Sequence, residues 1–151
     1  MSQGGQTLRR GDIVLVRFPF TDLSGSKRRP AVVLASYPPD AIVAFISSVM
    51  PRQPEISDVI IKTTESDFAS TGLKVNSVIR LRKLATLEES IITRRLGKLD
   101  RNRLSSVDDA LLAGLKIDLT PQIKREYQAL QSLLQTDGET AVINRIKSHD
   151  R

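Results

Sequence analysis

The chain has 151 residues, 40% of them hydrophobic and 4% aromatic, with 23 Lys+Arg against 17 Asp+Glu for a formal net charge of +6. That length fits one compact domain with a short appendage, and the apolar fraction excludes wholesale disorder. With no cysteine and a single histidine, His149, near the end, the sequence excludes disulfides, thiol nucleophiles, a histidine-based triad and a multi-histidine or cysteine-ligated metal site.

Residues 12–18 (DIVLVRF) form a short, β-branched apolar run that reads as a strand. A loop rich in Gly, Ser, Thr, Asp and cations is expected from Pro19 to Arg29. Two continuous apolar runs follow, Ala31–Ala35 and Ala41–Ile46, separated by Ser-Tyr-Pro-Pro-Asp, which predicts a strand–turn–strand unit. Continuous rather than alternating runs imply strands covered on both faces. Another strand is expected near Val59–Lys62, and residues 75–84 alternate as a strand with one wet face would. Helix enters late. Asp100 is placed to cap a segment carrying Leu104, Val107, Leu111 and Leu115 on one stripe. Thr120-Pro121 supplies a cap and first-turn proline for a second helix with Ile123, Tyr127, Leu130 and Leu134, and Asp137-Gly138 precedes a third with Val142 and Ile146. Short strands, tight turns and few helices predict a mainly β (α+β) fold, a small, strongly curved sheet or barrel at residues 1–116 with a helical extension at 117–151. No apolar run approaches the ~18–20 residues of a membrane span, and the first ten residues lack a hydrophobic leader core. A cytoplasmic protein that binds no membrane is expected.

The excess charge is concentrated. Arg9, Arg10, Arg17, Lys27, Arg28 and Arg29 face only Asp12 and Asp22 in the first thirty residues. A second basic segment holds Arg80, Arg82, Lys83, Arg94, Arg95, Lys98, Arg101 and Arg103, whereas residues 117–151 are balanced. Two such segments on a small domain either converge on a phosphate-bearing partner or form a solvated basic surface, and charge by itself does not choose between them.

The segment Gly11–Ser36, GDIVLVRFPFTDLSGSKRRPAVVLAS, resembles the MazF/PemK family of toxin endoribonucleases in its opening strand, polar loop and Arg-Pro-Ala-Val-Val-Leu strand. Ala44-Phe45-Ile46-Ser47-Ser48 looks like the family's second signature, a strand ending in a Thr/Ser pair. Ser77-Val78-Ile79-Arg80 and Leu96-Gly97-Lys98-Leu99 fall where that family places a strand and a Gly-containing turn before its helix. The similarity spans roughly residues 10–116.

The resemblance implies an SH3-like barrel of the PemK/CcdB type, a homodimer silenced by a cognate antitoxin, and cleavage of single-stranded RNA without metal or other cofactor. The ribose 2′-hydroxyl would attack the adjacent phosphate, leaving a 2′,3′-cyclic phosphate. Carried over residue by residue, the catalytic pair is Arg29 and Ser47. The loop Phe20–Arg28 looks like the segment that grips substrate: Phe20 stacks on a base or simply packs on the barrel, and Lys27 and Arg28 meet phosphates. Arg80 and Ser48 complete the substrate-binding set with Asp22 and Ser24 of the loop. The sequence departs from the family pattern in three places. Serine replaces the usual threonine at Ser47, and Ser24 and Ser26 stand where some members have a loop acid, leaving Asp22 as the nearest carboxylate. Arg82 occupies a position that is acidic in some members.

The chemistry is consistent with these residue types. Internal phosphoryl transfer needs charge stabilisation on the phosphorane oxygens, and the planar arginine fork makes two parallel bonds to phosphate that strengthen as charge develops. A hydroxyl adds a hydrogen bond at little steric cost. Arginine is a poor base, so electrostatic activation of the 2′-hydroxyl is the more defensible role. Ser47 reads equally as an ordinary strand-end hydroxyl, and the lesser alternative for Arg29 is a surface cation flanking a strand. Two rivals share the fold or the charge: a protein-binding poison like the Ccd-type inhibitors of DNA gyrase, and a non-catalytic nucleic-acid-binding module. The C-terminal stripes fit an extra layer over the barrel or dimer interface, or a contact that modulates antitoxin binding or covers the RNA groove.

Overall fold

The computed structural model describes residues 7–18, 27–136 and 138–149. The chain divides into two compact units, Met1–Lys116 and Ile117–Arg151.

The first unit is built on one antiparallel sheet of six strands: β1 (Asp12–Phe18), β2 (Lys27–Tyr37), β3 (Asp40–Ser47), β4 (Asp58–Ile61), β5 (Ser77–Glu88) and β6 (Ile92–Lys98). Their order across the sheet is β4-β5-β3-β2-β1-β6. β2 and β3 are joined at Pro38-Pro39, the peptide between them cis. A helical turn, α1 (Phe68–Thr71), a 3₁₀ turn at Glu89–Ile91 and a long helix, α2 (Arg101–Gly114), complete the unit. The mainly β, α+β class expected from the sequence is the one found, but the sheet does not close into a barrel. β4 and β6 are its two edges and pair with nothing further among the described residues.

The continuous apolar runs have the consequence the sequence predicts, because both faces of the central strands are covered. On one face Ile13, Val32, Leu34, Ala44, Ile46, Ile79 and Leu81 pack with Val107 and Ala110 of α2. On the other, Val14, Val16, Ala31, Val33 and Val43 are buried with Leu87, and Leu8, Phe45, Ile91 and Ile92 pack against them. The alternating residues of β1, β2 and β3 thus feed two cores, which is why neither polar nor apolar residues alternate along them.

Three expectations shift. Lys27, Arg28 and Arg29 belong to β2 rather than to the preceding loop, because Phe18, Arg17 and Val16 of β1 supply their pairing partners; a neighbouring strand overrides the weak strand preference of a cationic run. Gly97 lies inside β6 rather than in a turn. A Cβ there would stand 2.3 Å from the Ser70 carbonyl oxygen and 2.5 Å from the Thr71 carbonyl carbon, so glycine lets α1 lie directly on the strand. On β5, Val78 is buried although it shares a face with Arg80, so that face is wet only in part.

Asp100 caps α2 as expected, its carboxylate accepting the Arg103 amide at 2.8 Å. Leu115 falls past the end of the helix and is exposed. Arg103 then reaches back from the first turn. It donates from Nε to Asp67 Oδ2 at 3.0 Å and from Nη1 to the Ile60 carbonyl at 3.0 Å, and pairs with Glu65. Its side chain is 18% exposed, and the network ties α2 to β4 and to the loop before α1. The Asp67 hydrogen bond and charge hold the Arg103 pKa above its ordinary value, and the same contact holds Asp67 below the usual carboxylate range.

The second unit holds α3 (Thr120–Thr136) and α4 (Glu139–His149). The capping acceptor of α3 is Asp118, which takes the Thr120 amide at 2.9 Å, rather than Thr120 itself. Gly138 takes φ +79 between the two helices, and Arg145 of α4 donates to Glu126 of α3 at 2.8 Å.

Candidate functional site

Register places the candidate residues. Ala31 of β2 pairs with Phe45 of β3, and Phe45 in turn with Arg80 of β5. Arg29 lies two residues before Ala31 and Ser47 two residues beyond Phe45. Because side chains alternate with period two, Arg29, Ser47 and Arg80 share one face of the sheet. It is the face of the Val14, Val16, Ala31 core, and all three stand at its end. Lys27, two residues before Arg29, is on the same side.

Arg29 is opposite Val16 of β1, exposed, and makes no ion pair among the described residues. The buried Val16 and Ala31 beside it fix the backbone from which the guanidinium extends. Ser47 ends β3, and its Oγ accepts the Val49 amide at 3.1 Å. This is the strand-end arrangement open to any serine, yet it leaves the hydroxyl proton available to a second acceptor. The Val49 carbonyl accepts from Arg80 Nη2 at 3.4 Å, so Val49 links Ser47 to Arg80 through its two backbone groups. Arg80 Nε is buried and has no partner among the described residues. Val49 is the contributor that side-chain chemistry misses; a serine two residues ahead of it, at a strand end, is the signal for such a turn. Ser48 is exposed in the bend that follows.

The other predicted residues divide. Arg28 pairs with Arg17 and therefore lies on the opposite side of the sheet from Arg29. Phe20, Asp22 and Ser24 lie outside the described residues. Asp58 of β4 pairs with Arg80, but its Oδ2 is taken by the Glu55 amide at 3.0 Å. Arg82 is held by Glu55 at 2.6 Å. Part of the second basic segment is likewise occupied: Arg95 pairs at 3.0 Å with Asp12, which is 3% exposed, and Arg103 with Asp67 and Glu65. Arg10 of the first segment pairs with Asp108. Among the described residues no group of three His, Cys, Asp or Glu side chains could hold a metal ion. No helix among them is long and apolar enough to cross a membrane.

The chain is similar in fold to several solved structures. One, a MazE-MazF complex from Deinococcus radiodurans, is 18% identical with a TM-score of 0.60 over 76% of this chain and all of that one (100%). The Mycobacterium tuberculosis toxin MazF-mt6 is 18% identical, with a TM-score of 0.56 over 71% and 98%. An endoribonuclease in complex with its cognate antitoxin, from a mycobacterial species, is 12% identical with a TM-score of 0.57 over 74% and 97%. At these identities the likeness is one of fold. No curated protein matches the chain. The model of the PemK-like, MazF-like toxins of type II toxin–antitoxin systems matches residues 9–115, which include every strand and α2 and stop short of α3, and the chain belongs to that family.

Proposed function

We propose that the chain is an RNA-cleaving toxin that acts on single-stranded RNA without a metal ion, as a cytoplasmic homodimer controlled by a cognate antitoxin. The observation that carries this reading is the shared face of Arg29 and Ser47 at the ends of adjacent strands, with the Arg29 guanidinium exposed and unpaired among the described residues. Membership of a toxin family, and neighbours in fold that were solved bound to antitoxins, support the partner.

The chemistry follows from the donors. A phosphodiester laid across the sheet end meets Arg29 from one strand and Ser47 from the next. The 2′-hydroxyl gives its proton to solvent as its oxygen attacks phosphorus, negative charge grows on the non-bridging oxygens, and the bond to the 5′-oxygen breaks as that oxygen takes a proton from solvent to leave as a 5′-hydroxyl. Arg29 offers two parallel N–H bonds to those oxygens. The Ser47 oxygen is already an acceptor for Val49, and its proton remains as a further donor. Arg80, anchored on the same Val49, adds positive potential beside them. All three act more strongly on the transition state than on the diester, which is the condition for acceleration. Lys27 and Ser48, both exposed, would hold neighbouring nucleotides, a role the resemblance also gives to Phe20, Asp22, Ser24 and Arg28.

Incubation with single-stranded RNA in excess EDTA, followed by analysis of product ends, tests the reading. Cyclic-phosphate termini that disappear with Arg29→Ala are expected. RNA retained without cleavage would mean a binding module instead, and indifference to RNA with inhibition of gyrase would mean a protein-directed poison.

A further inference from the structure

On the side of the sheet away from Arg29 stand three neighbouring arginines with no ion pair among the described residues. Arg17 of β1 pairs directly with Arg28 of β2. Leu15, two residues before Arg17 and on the same face, pairs with Arg94 of β6. Directly opposed side chains on a sheet have Cβ atoms ~5 Å apart and diagonal neighbours ~7–8 Å, so Arg17 lies within reach of both Arg28 and Arg94. All three are exposed, and none makes an ion pair among the described residues. Their neighbours differ in this respect: Arg95, next to Arg94 but on the other face, is tied to Asp12.

Like charges directly opposed across strands are destabilising. The free protein carries that repulsion at the Arg17–Arg28 pair, with Arg94 diagonal to Arg17 adding to it, and a polyanion would relieve it. Around the cluster, Leu15 and Pro30 are half-buried and Thr93 donates to the Leu15 carbonyl at 3.1 Å. Among the described residues the patch has no large exposed apolar side chain of the kind that anchors a protein interface. A backbone of phosphates suits it better than an acidic polypeptide.

We propose that Arg17, Arg28 and Arg94 form a second phosphate-binding surface, on the opposite side of the sheet from Arg29, that holds single-stranded RNA flanking the cleavage site. Arg28 and Arg29 are consecutive in β2 and point to opposite sides, so a strand bending over that end of the sheet meets both. This inference rests on the proposed RNA-cleaving function and extends it.

The test uses the full chain, an uncleavable 2′-O-methyl RNA of about 20 nucleotides, and the double variant Arg17→Gln/Arg94→Gln. The variant is expected to bind roughly tenfold or more weakly near 0.1 M salt, with the slope of log K against log salt reduced by about 1.4, or ~0.7 for each lost contact. Thermal unfolding at low salt keeps the result interpretable, because relief of repulsion is expected to raise the variant's Tm by about 1–3 °C. A fall in Tm would mean that these arginines have partners in the free protein, and would overturn the proposal. Unchanged affinity and slope in a protein that cleaves RNA in an Arg29-dependent way would overturn it alone. A native protein that neither binds nor cleaves RNA would overturn it together with the proposed function. Binding of polyglutamate that depends on the arginines, while RNA binding does not, would overturn it in favour of an acidic polypeptide.

Discussion

At the scale of single residues, the site depends on how each hydroxyl and guanidinium is already engaged. The Ser47 oxygen is held by the Val49 amide, so the direction of its remaining proton is restricted before any substrate arrives. Ser47→Ala is expected to lose ~1–3 kcal/mol of transition-state stabilisation, read as a fall of roughly 5- to 150-fold in kcat for RNA cleavage with little change in KM. An unchanged kcat would remove the hydroxyl from the site. A different arginine governs stability. Arg103 depresses the Asp67 pKa, so the folded state favours the carboxylate relative to the unfolded chain. The contribution is complete above the unfolded value near 3.9 and disappears as pH falls through the lower folded value. Urea titrations at several pH values are therefore expected to show a wild-type advantage over Asp67→Asn that is level above about pH 5 and shrinks in more acidic solution. A gap that widens on acidification would contradict the pairing.

Among the elements, the informative ones are those where local preference and neighbours disagree. The run Lys-Arg-Arg-Pro reads as loop because cations and proline are poor strand formers, yet β1 recruits it into β2 and so decides which way Arg28 and Arg29 face. Gly97 is similar: its sequence context suggests a turn, whereas it is a strand position where the backbone of α1 lies directly on β6. Gly97→Ala would drive a Cβ into backbone atoms of Ser70 and Thr71, which cannot swing aside as a side chain could. A loss of about 1–3 kcal/mol in urea unfolding is expected, since α1 must lift from the strand. Where the local signal is strong, the expectations hold. The apolar runs of β1, β2 and β3, the Pro-Pro turn, and the Asp100 cap of α2 are legible because each follows from a short stretch of chain. The switch at α3 from Thr120 to Asp118 as capping acceptor shows the limit of that approach, as both residues can accept and only the helix start decides.

Taken as a whole, the molecule concentrates its burial in the first unit. Every residue with a fully enclosed apolar side chain lies in Met1–Lys116 among the described residues, while Ile123, Tyr127, Leu134, Ile143 and Ile146 of the second unit are exposed. Two helices with no enclosed apolar side chain among the described residues have little to resist opening. Hydrogen exchange on the full chain is expected to show α3 and α4 amides exchanging well ahead of those in β2, β3 and β5; equal protection would mean that another surface covers the helices. The family match ends at residue 115, so the sequence signature and the concentration of burial stop at nearly the same place.

The residue types needed for phosphate chemistry, the lack of cysteine and of a usable histidine, the family, and most of the strands and helices were legible in the linear sequence, because each depends on composition or on contacts within a few residues; β6 and the short α1, which rest on partners distant in the chain, were not. Which side of the sheet each arginine occupies was not. Arg28 and Arg29, Arg94 and Arg95 are neighbours in sequence but separate in space, and their partners come from other strands: Arg17, Val16, Leu15 and Val14. Strand register is a long-range property, so only the folded sheet could divide one cationic run into a candidate cleavage face and a second basic face behind it.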